Sequence, residues 1–70
     1  MTKFKSFFLN GHKFSTNRDL TIYDVIKYFS YHSSLLVLEY NNLICNKKNW
    51  NKISIQNNDK IEIVTIVGGG

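Results

Sequence analysis

The stretch Lys3–Thr16, "KFKSFFLNGHKFST", decides how the fold begins. Two apolar segments flank Asn10 and Gly11, and both of these residues tolerate the positive φ angles of a two-residue type I′ turn. The stretch therefore predicts a β-hairpin, with a first strand at about residues 3–9 and a second at about residues 12–16.

The next segment, "LTIYDVIKYF" at residues 20–29, has the periodicity of an amphipathic helix. Its apolar residues recur at helical spacing, at Ile22, Val25, Ile26 and Phe29. Thr21 and Asp24 resemble a capping box with Asp in place of Glu, and Asp19 is an alternative cap. We expect the helix to end near Ser30 and to bury its apolar face against a sheet.

Two apolar segments separated by "NN" predict a third strand and a short return strand, "LLVLEY" at 35–40 and "LIC" at 43–45. If Glu39 faces outward, strand alternation points Leu36, Leu38 and Tyr40 inward.

A polar connection follows, in which Trp50 and Ile53 are predicted to anchor the chain and Ile55 to form a short pairing. Residues 57–59, "NND", predict a turn into a last strand at 61–67. Its alternation places Ile61 and Ile63 inward and Glu62 outward.

This order of elements predicts an α+β domain of the β-grasp (ubiquitin-like) type. A hairpin, a crossover helix and a returning strand form a mixed sheet of about four to five strands, with one main helix on one face. The last strand lies beside the first at the sheet centre. We expect a single domain at 1–67 and a free glycine tail at 68–70.

Composition limits the class of protein. Seventy residues with 43% hydrophobic and 20% charged side chains are typical of one globular domain. No apolar run approaches the roughly 18 residues of a membrane span, so we expect no membrane association. The net charge of +4 comes from scattered lysines without arginine–aromatic motifs, which favours a solvated basic surface over a nucleic-acid interface. We also expect a monomer when the chain is free.

Conventional catalytic groups are not clustered in the sequence. His12 and His32 are distant from each other and from any acidic pair, so we predict no metal site. No nucleophile motif accompanies the serines. Cys45 is a single cysteine, which favours a reducing compartment, and we interpret it as a small apolar residue of a strand.

The chain ends in Gly68, Gly69 and Gly70 directly after a predicted strand. A glycine segment has no Cβ atoms, so it can thread a channel too narrow for other residues. Its carboxylate is sterically open, and adenylation by ATP would turn it into an acyl donor. We interpret the tail as functional; a frayed terminus is the alternative.

Taken together, these segments resemble the sulfur-carrier protein of thiamine thiazole synthesis, the ThiS family. The resemblance covers nearly the whole chain. It lies in "LNG" (9–11), "LTIYDVI" (20–26), "LVLEYNN" (36–42), "IC" (44–45), Trp50 and "DKIEIVTIVGGG" (59–70). The ending is the specific part. The segment "YNNLICN" (40–46) differs from the family, which often has Asn-Gly followed by a proline at this point. The difference concerns the geometry of the turn and not the reactive end.

The resemblance implies that an E1-like adenylating enzyme activates the Gly70 carboxylate at the expense of ATP. The carboxylate then becomes a thiocarboxylate, with sulfur from a donor such as a cysteine desulfurase, and passes sulfur to thiazole synthase. Gly68 and Gly69 match the threading segment. The chain would be a carrier without permanent cofactor and not an enzyme, located in the cytoplasm or plastid stroma. We expect Val64 and Ile66 to form an exposed partner-binding patch; the alternative is that a bulge turns them inward or that they pack beneath a loop.

Three other functions fit parts of the pattern. The small subunit of molybdopterin synthase has the same fold and tail chemistry, and compact length with a short Trp50 connection favours the thiamine carrier. A ubiquitin-like modifier would use the same carboxylate to form isopeptide bonds. A binding module would carry an inert tail.

Overall fold

The computed structural model describes residues 3–29 and 36–65. Within these ranges the chain forms one α-helix, one short 3₁₀ helix at Lys47–Asn49 and five strands. The strands and the helix are β1 (Lys5–Leu9), β2 (His12–Thr16), α1 (Ile22–Tyr28), β3 (Leu36–Tyr40), β4 (Leu43–Ile44) and β5 (Asp59–Thr65).

The five strands form one mixed sheet in the order β2-β1-β5-β3-β4. The pairing of β1 with β5 is parallel, and the other pairings are antiparallel. The last strand therefore occupies the centre of the sheet, next to the first. This arrangement confirms the predicted β-grasp fold.

The hairpin turn has the predicted geometry, with φ of 49° at Asn10 and 82° at Gly11. The first strand begins at Lys5 and not at residue 3, because β2 ends at Thr16, directly opposite Lys5. Phe4 has no partner residue across the hairpin, and 70% of its surface is exposed.

Helix α1 begins at a reciprocal capping box. The Asp24 amide donates to the Thr21 hydroxyl at 3.1 Å, and the Thr21 amide donates to the Asp24 carboxylate at 2.9 Å. Asp19 is not the cap; its carboxylate lies 3.4 Å from the Lys5 ammonium group. The last helical residue is Tyr28. The predicted end at Ser30 lies outside the described residues.

The core lies between α1 and one face of the sheet. Its buried side chains are Phe7, Leu9, Ile22, Val25, Ile26, Leu38, Trp50, Ile55, Ile61 and Ile63. Trp50 is the predicted anchor of the polar connection, and its indole N–H donates to the Cys45 carbonyl at 3.2 Å. Leu36 and Tyr40, predicted to face inward, are half-buried at the margin of the core.

Three boundaries differ from the prediction. Strand β4 ends at Ile44, so Cys45 follows the strand, although its amide still donates to the Leu38 carbonyl at 2.8 Å. The pairing expected at Ile55 forms as a bridge between Thr21 and Ser54. Strand β5 begins at Asp59, which was predicted to lie in a turn, because Asp59 already pairs with Phe7.

Candidate functional site

The predicted site is the C-terminal end of β5 and the segment beyond it. Gly68, Gly69, Gly70 and Ile66 lie outside the described residues, so their predicted roles stay predictions. Val64 lies on β5, and 62% of its surface is exposed. The exposure expected for Val64 is confirmed.

Val64 belongs to the face of the sheet opposite the helix. Side chains alternate along a strand, so burial of Ile61 and Ile63 places Lys60, Glu62 and Val64 on this outer face. Val37 lies directly opposite Val64 on β3, with 36% of its surface exposed. Ile44 on β4 lies on the same face and is 75% exposed. We call Val37, Ile44 and Val64 the outer-face patch.

Two carboxylates border this patch. Glu39 on β3 pairs directly with Glu62 on β5, and both point to the outer face. Like charges at directly opposite positions of a sheet repel each other. The outer face thus combines apolar side chains with an acidic pair that a basic group of a partner would stabilise.

Asn10 holds β5 on the side of β1. Its backbone amide donates to the Ile61 carbonyl at 2.9 Å, and its side-chain oxygen accepts the Ile63 amide at 2.7 Å. Strand β1 ends at Leu9. The Asn10 carboxamide therefore takes the place of the next ladder carbonyl and extends the support of β5 to Ile63.

Asn41 holds β5 on the side of β3. Its backbone amide donates to the Lys60 carbonyl at 2.8 Å, and its side-chain oxygen accepts the Lys60 amide, also at 2.8 Å. Its side-chain nitrogen donates to the Asp59 carboxylate at 3.1 Å. Asn41 has a φ of 51°, a left-handed conformation that asparagine tolerates well.

The Asp59 carboxylate fixes the start of β5. Asp59 is 6% exposed, and it accepts the Tyr40 hydroxyl at 2.5 Å and the Gln56 amide at 2.6 Å, besides Asn41. Burial, together with the hydrogen bond and negative charge of Asp59, raises the pKa of Tyr40 to about 12. Asp59 therefore joins β3, the preceding loop and β5 through hydrogen bonds.

Beyond Ile63 the support becomes one-sided. Val64 and Thr65 pair with β3, opposite Val37 and Leu36. The parallel register with β1 stops at Ile61, and the Asn10 side chain reaches no farther than Ile63. Within the described residues, β5 is thus held on both sides up to Ile63 and on one side after it.

The sequence analysis missed most of these supporting residues. Val37 and Ile44 were not assigned to the patch, and Asn10 was interpreted as a turn residue alone. The alternation of β3 places Val37 outward, but only the strand register brings it opposite Val64.

Other kinds of site have little support in the described part of the chain. Residues 3–29 and 36–65 contain no cluster of three or more His, Cys, Asp or Glu side chains suited to a metal ion. Cys45 is half-buried, and burial raises the pKa of its thiol, which disfavours the reactive thiolate. No helix formed by the described residues is long and apolar enough to cross a membrane.

Comparison with a solved protein supports the fold independently. The crystal structure of a thiamine biosynthesis protein (ThiS) from Geobacter metallireducens superposes with a TM-score of 0.78, covering 93% of this chain and 99% of that one. The two sequences are 15% identical, so this likeness bears on the fold alone.

Sequence relatives and a family profile extend the comparison. The chain is 65% identical over 66 residues to the uncharacterized protein ycf40 of Trieres chinensis, covering 94% of this chain and 90% of the relative. It is 31% identical over 62 residues to the protein of the same name from Porphyra purpurea, covering 89% and 87%. The profile described as the ThiS family matches residues 7–70, including the three C-terminal glycines. Family and fold together support a sulfur-carrier role, and the chain belongs to the ThiS family.

Proposed function

We propose that the chain is the sulfur carrier of thiamine thiazole biosynthesis and that Gly70 carries the sulfur. The observation that supports this most is the family match, which continues to Gly70. The Gly70 carboxylate attacks the α-phosphorus of ATP in an activating enzyme, and pyrophosphate leaves. The terminal sulfur of a donor persulfide then displaces AMP and forms an acyl disulfide. A thiol attacks the donor's own sulfur in this disulfide, so that a new disulfide forms on the donor and the thiocarboxylate is released, which passes sulfur to thiazole synthase.

The described structure fits a carrier whose chemistry is performed by its partners. Asn10, Asn41 and Asp59 fix β5 up to Ile63, while Gly68, Gly69 and Gly70 provide a segment without side chains. A rigid strand followed by a thin segment lets a partner enzyme hold the domain while the carboxylate reaches a separate active site. ATP is a co-substrate of the activating enzyme in this scheme, and the carrier keeps no cofactor.

The outer-face patch is the surface that we propose the partners hold. Exposed apolar groups next to a functional terminus are typical of interfaces, and Val64 is the exposed apolar residue of β5, as far as the structure describes it, that lies nearest to the glycines in the chain. The Glu39–Glu62 pair adds a specific requirement, since a partner arginine or lysine at this position would relieve the repulsion between the two carboxylates. Ile66 would continue this surface toward the tail.

We place this function in the plastid stroma or the cytoplasm. The abundance of asparagine, lysine and isoleucine and the absence of alanine and proline fit an AT-rich gene such as a plastid gene. The relatives named ycf40 support the plastid.

The intact mass of the protein purified from its native host tests the proposal. We expect a fraction of molecules in which one oxygen has been replaced by sulfur, with the change located at Gly70 by fragmentation. A chain extended beyond Gly70 by a C-terminal tag is the control, and it should remain unmodified because its glycine carboxylate is blocked.

Two other results would contradict the proposal. Isopeptide-linked conjugates without a thiocarboxylate would indicate a protein modifier. A thiocarboxylate consumed by pterin synthesis and not by thiazole synthesis would assign the carrier to the molybdopterin pathway.

A further inference from the structure

A groove of about 540 Å³ runs between β2 and α1, at the edge of the sheet farthest from β4. Strand β2 is two positions away from β5 in the sheet order. A molecule bound in this groove would therefore leave the outer-face patch and the end of β5 free. The lining residues used below are Phe7, Phe14, Arg18, Asp24, Lys27, Tyr28 and Phe29.

Aromatic rings form one wall of the groove. The Phe7 and Phe14 ring centroids are 5.9 Å apart, those of Phe14 and Phe29 are 5.0 Å apart, and those of Tyr28 and Phe29 are also 5.0 Å apart. Phe7 is buried in the core, whereas Tyr28 is 80% exposed. This row of rings continues the core outward to the surface, where it offers apolar contact area to a ligand.

The backbone beside the groove is a sheet edge with free hydrogen-bonding groups. Leu9 pairs with His12 across the two-residue turn, so that pair exchanges backbone hydrogen bonds, and so does the Phe7–Phe14 pair two residues along. The intervening residues of β2, Lys13 and Ser15, must then direct their N–H and C=O groups away from β1. Within the described residues β2 pairs with β1 alone, so these groups can pair with an added strand.

The charges around the groove are mainly positive. Arg18 and Lys27 line it and are exposed, and Lys13 is exposed on the strand beside it. Among the lining residues that the structure describes, one carries a carboxylate, Asp24, which already accepts the Thr21 amide in the capping box. The groove therefore favours a ligand with negative charge.

We propose that this groove binds an extended acidic segment of a partner protein, which adds to the sheet as a strand beside β2. In such a strand, every second side chain would face the aromatic wall, and the alternate ones would lie next to Lys13 and Ser15 on the outer face. The segment that fits alternates apolar and acidic residues. This interaction is separate from the sulfur chemistry and needs neither Gly70 nor the outer-face patch.

The same features disfavour pairing of β2 with a second copy of the chain. Two β2 edges brought together would place Lys13 and Arg18 of each copy near the like charges of the other. An acidic segment instead neutralises these charges and supplies the missing hydrogen-bonding groups.

A titration of the ¹⁵N-labelled protein with a blocked peptide of roughly seven residues, alternating glutamate and valine, tests the proposal; this length spans the five residues of β2. We expect chemical-shift changes at Phe14 and Phe29 and slower hydrogen exchange at the Lys13 and Ser15 amides. The double variant Lys13→Glu/Arg18→Glu reverses the charge beside the acidic side chains and the charge just after β2, and it should bind the peptide about tenfold or more weakly. A peptide with lysine in place of glutamate should not bind.

The matched control is Lys47→Glu/Lys48→Glu, which makes the same change in net charge on the 3₁₀ helix, away from the groove. It should keep the original affinity. Equal weakening in both double variants would overturn the proposal, because binding would then follow net charge. Shift changes that avoid β2, or protection of Lys13 and Ser15 that depends on protein concentration without peptide, would also overturn it. Thermal melts verify that all variants are folded.

Discussion

The two faces of β5 have different roles, although the same seven residues form both of them. Ile61 and Ile63 are 0% and 7% exposed and close the core, while Val64 is 62% exposed on the opposite face. A single alternation thus separates the residues that stabilise the domain from those offered to partners. Adjacent substitutions on this strand should therefore have different consequences.

The largest expected effect comes from Ile63→Asp, with Val64→Asp as its matched control. Ile63→Asp puts an unpaired charge into a small core and should cost about 4 kcal/mol or more, enough to unfold much of the protein. Val64→Asp should cost about 1 kcal/mol or less, because its side chain stays in water. Chemical denaturation measures both, and similar losses of stability would show that the two faces are not separated in this way.

Asp59→Ala should have the next largest effect on stability. Asp59 is a buried polar residue on the inner face of β5, where Ile61 and Ile63 are apolar. The substitution leaves the Tyr40 hydroxyl, the Gln56 amide and the Asn41 side chain without their acceptor. We expect a loss of about 2–3 kcal/mol in the free energy of unfolding. Tyr40→Phe removes a single donor and should cost about 1 kcal/mol. Equal costs for the two variants would mean that the Asp59 carboxylate does not act as a shared acceptor.

Asn10→Gly tests the hydrogen bonds along the edge of β5 separately from the side chains on its two faces. Glycine keeps the left-handed turn but removes the acceptor of the Ile63 amide, so we expect a loss of about 1 kcal/mol and faster hydrogen exchange at Ile63. Asn10→Asp keeps an acceptor oxygen and should retain slow exchange. Unchanged exchange at Ile63 in Asn10→Gly would show that the carboxamide does not hold the strand.

A further effect is expected only at high pH, from the raised pKa of Tyr40. An unfolded tyrosine titrates near pH 10, and in the fold Tyr40 titrates near 12. The folded state thus holds this proton more tightly; the stabilisation is fully present below about pH 10 and is lost as the pH rises toward 12. Urea midpoints in this range should fall more steeply for the original protein than for Tyr40→Phe. If the urea midpoints of the two proteins fall in parallel with rising pH, the raised pKa of Tyr40 is contradicted.

Local patterns predicted much of the fold. Asn10-Gly11 predicted the hairpin, Thr21 and Asp24 predicted the helix start, and alternation predicted the burial of Ile61 and Ile63. Each of these depends on neighbours within a few positions of the sequence. Their spacing is therefore visible without knowledge of the tertiary structure.

The missed features depend on residues that meet only after folding. Asp59 is 19 residues from Tyr40, and Asn10 is 53 residues from Ile63. Because Asp59 follows Asn57 and Asn58, the local sequence predicts that it belongs to a turn, although its carboxylate is buried in the fold. Likewise, the aromatic wall of the groove forms only when α1 packs Phe29 against Phe14.

The central position of β5 also has a consequence for synthesis on the ribosome. The β1–β2 hairpin and β3 share β5 as their common partner, and β5 follows both of them in the chain. A nascent chain that stops before residue 59 has no strand to join these two parts into one sheet. The domain can close only after almost all of it has been made, so translation products cut short before this strand cannot fold and are exposed to proteolysis.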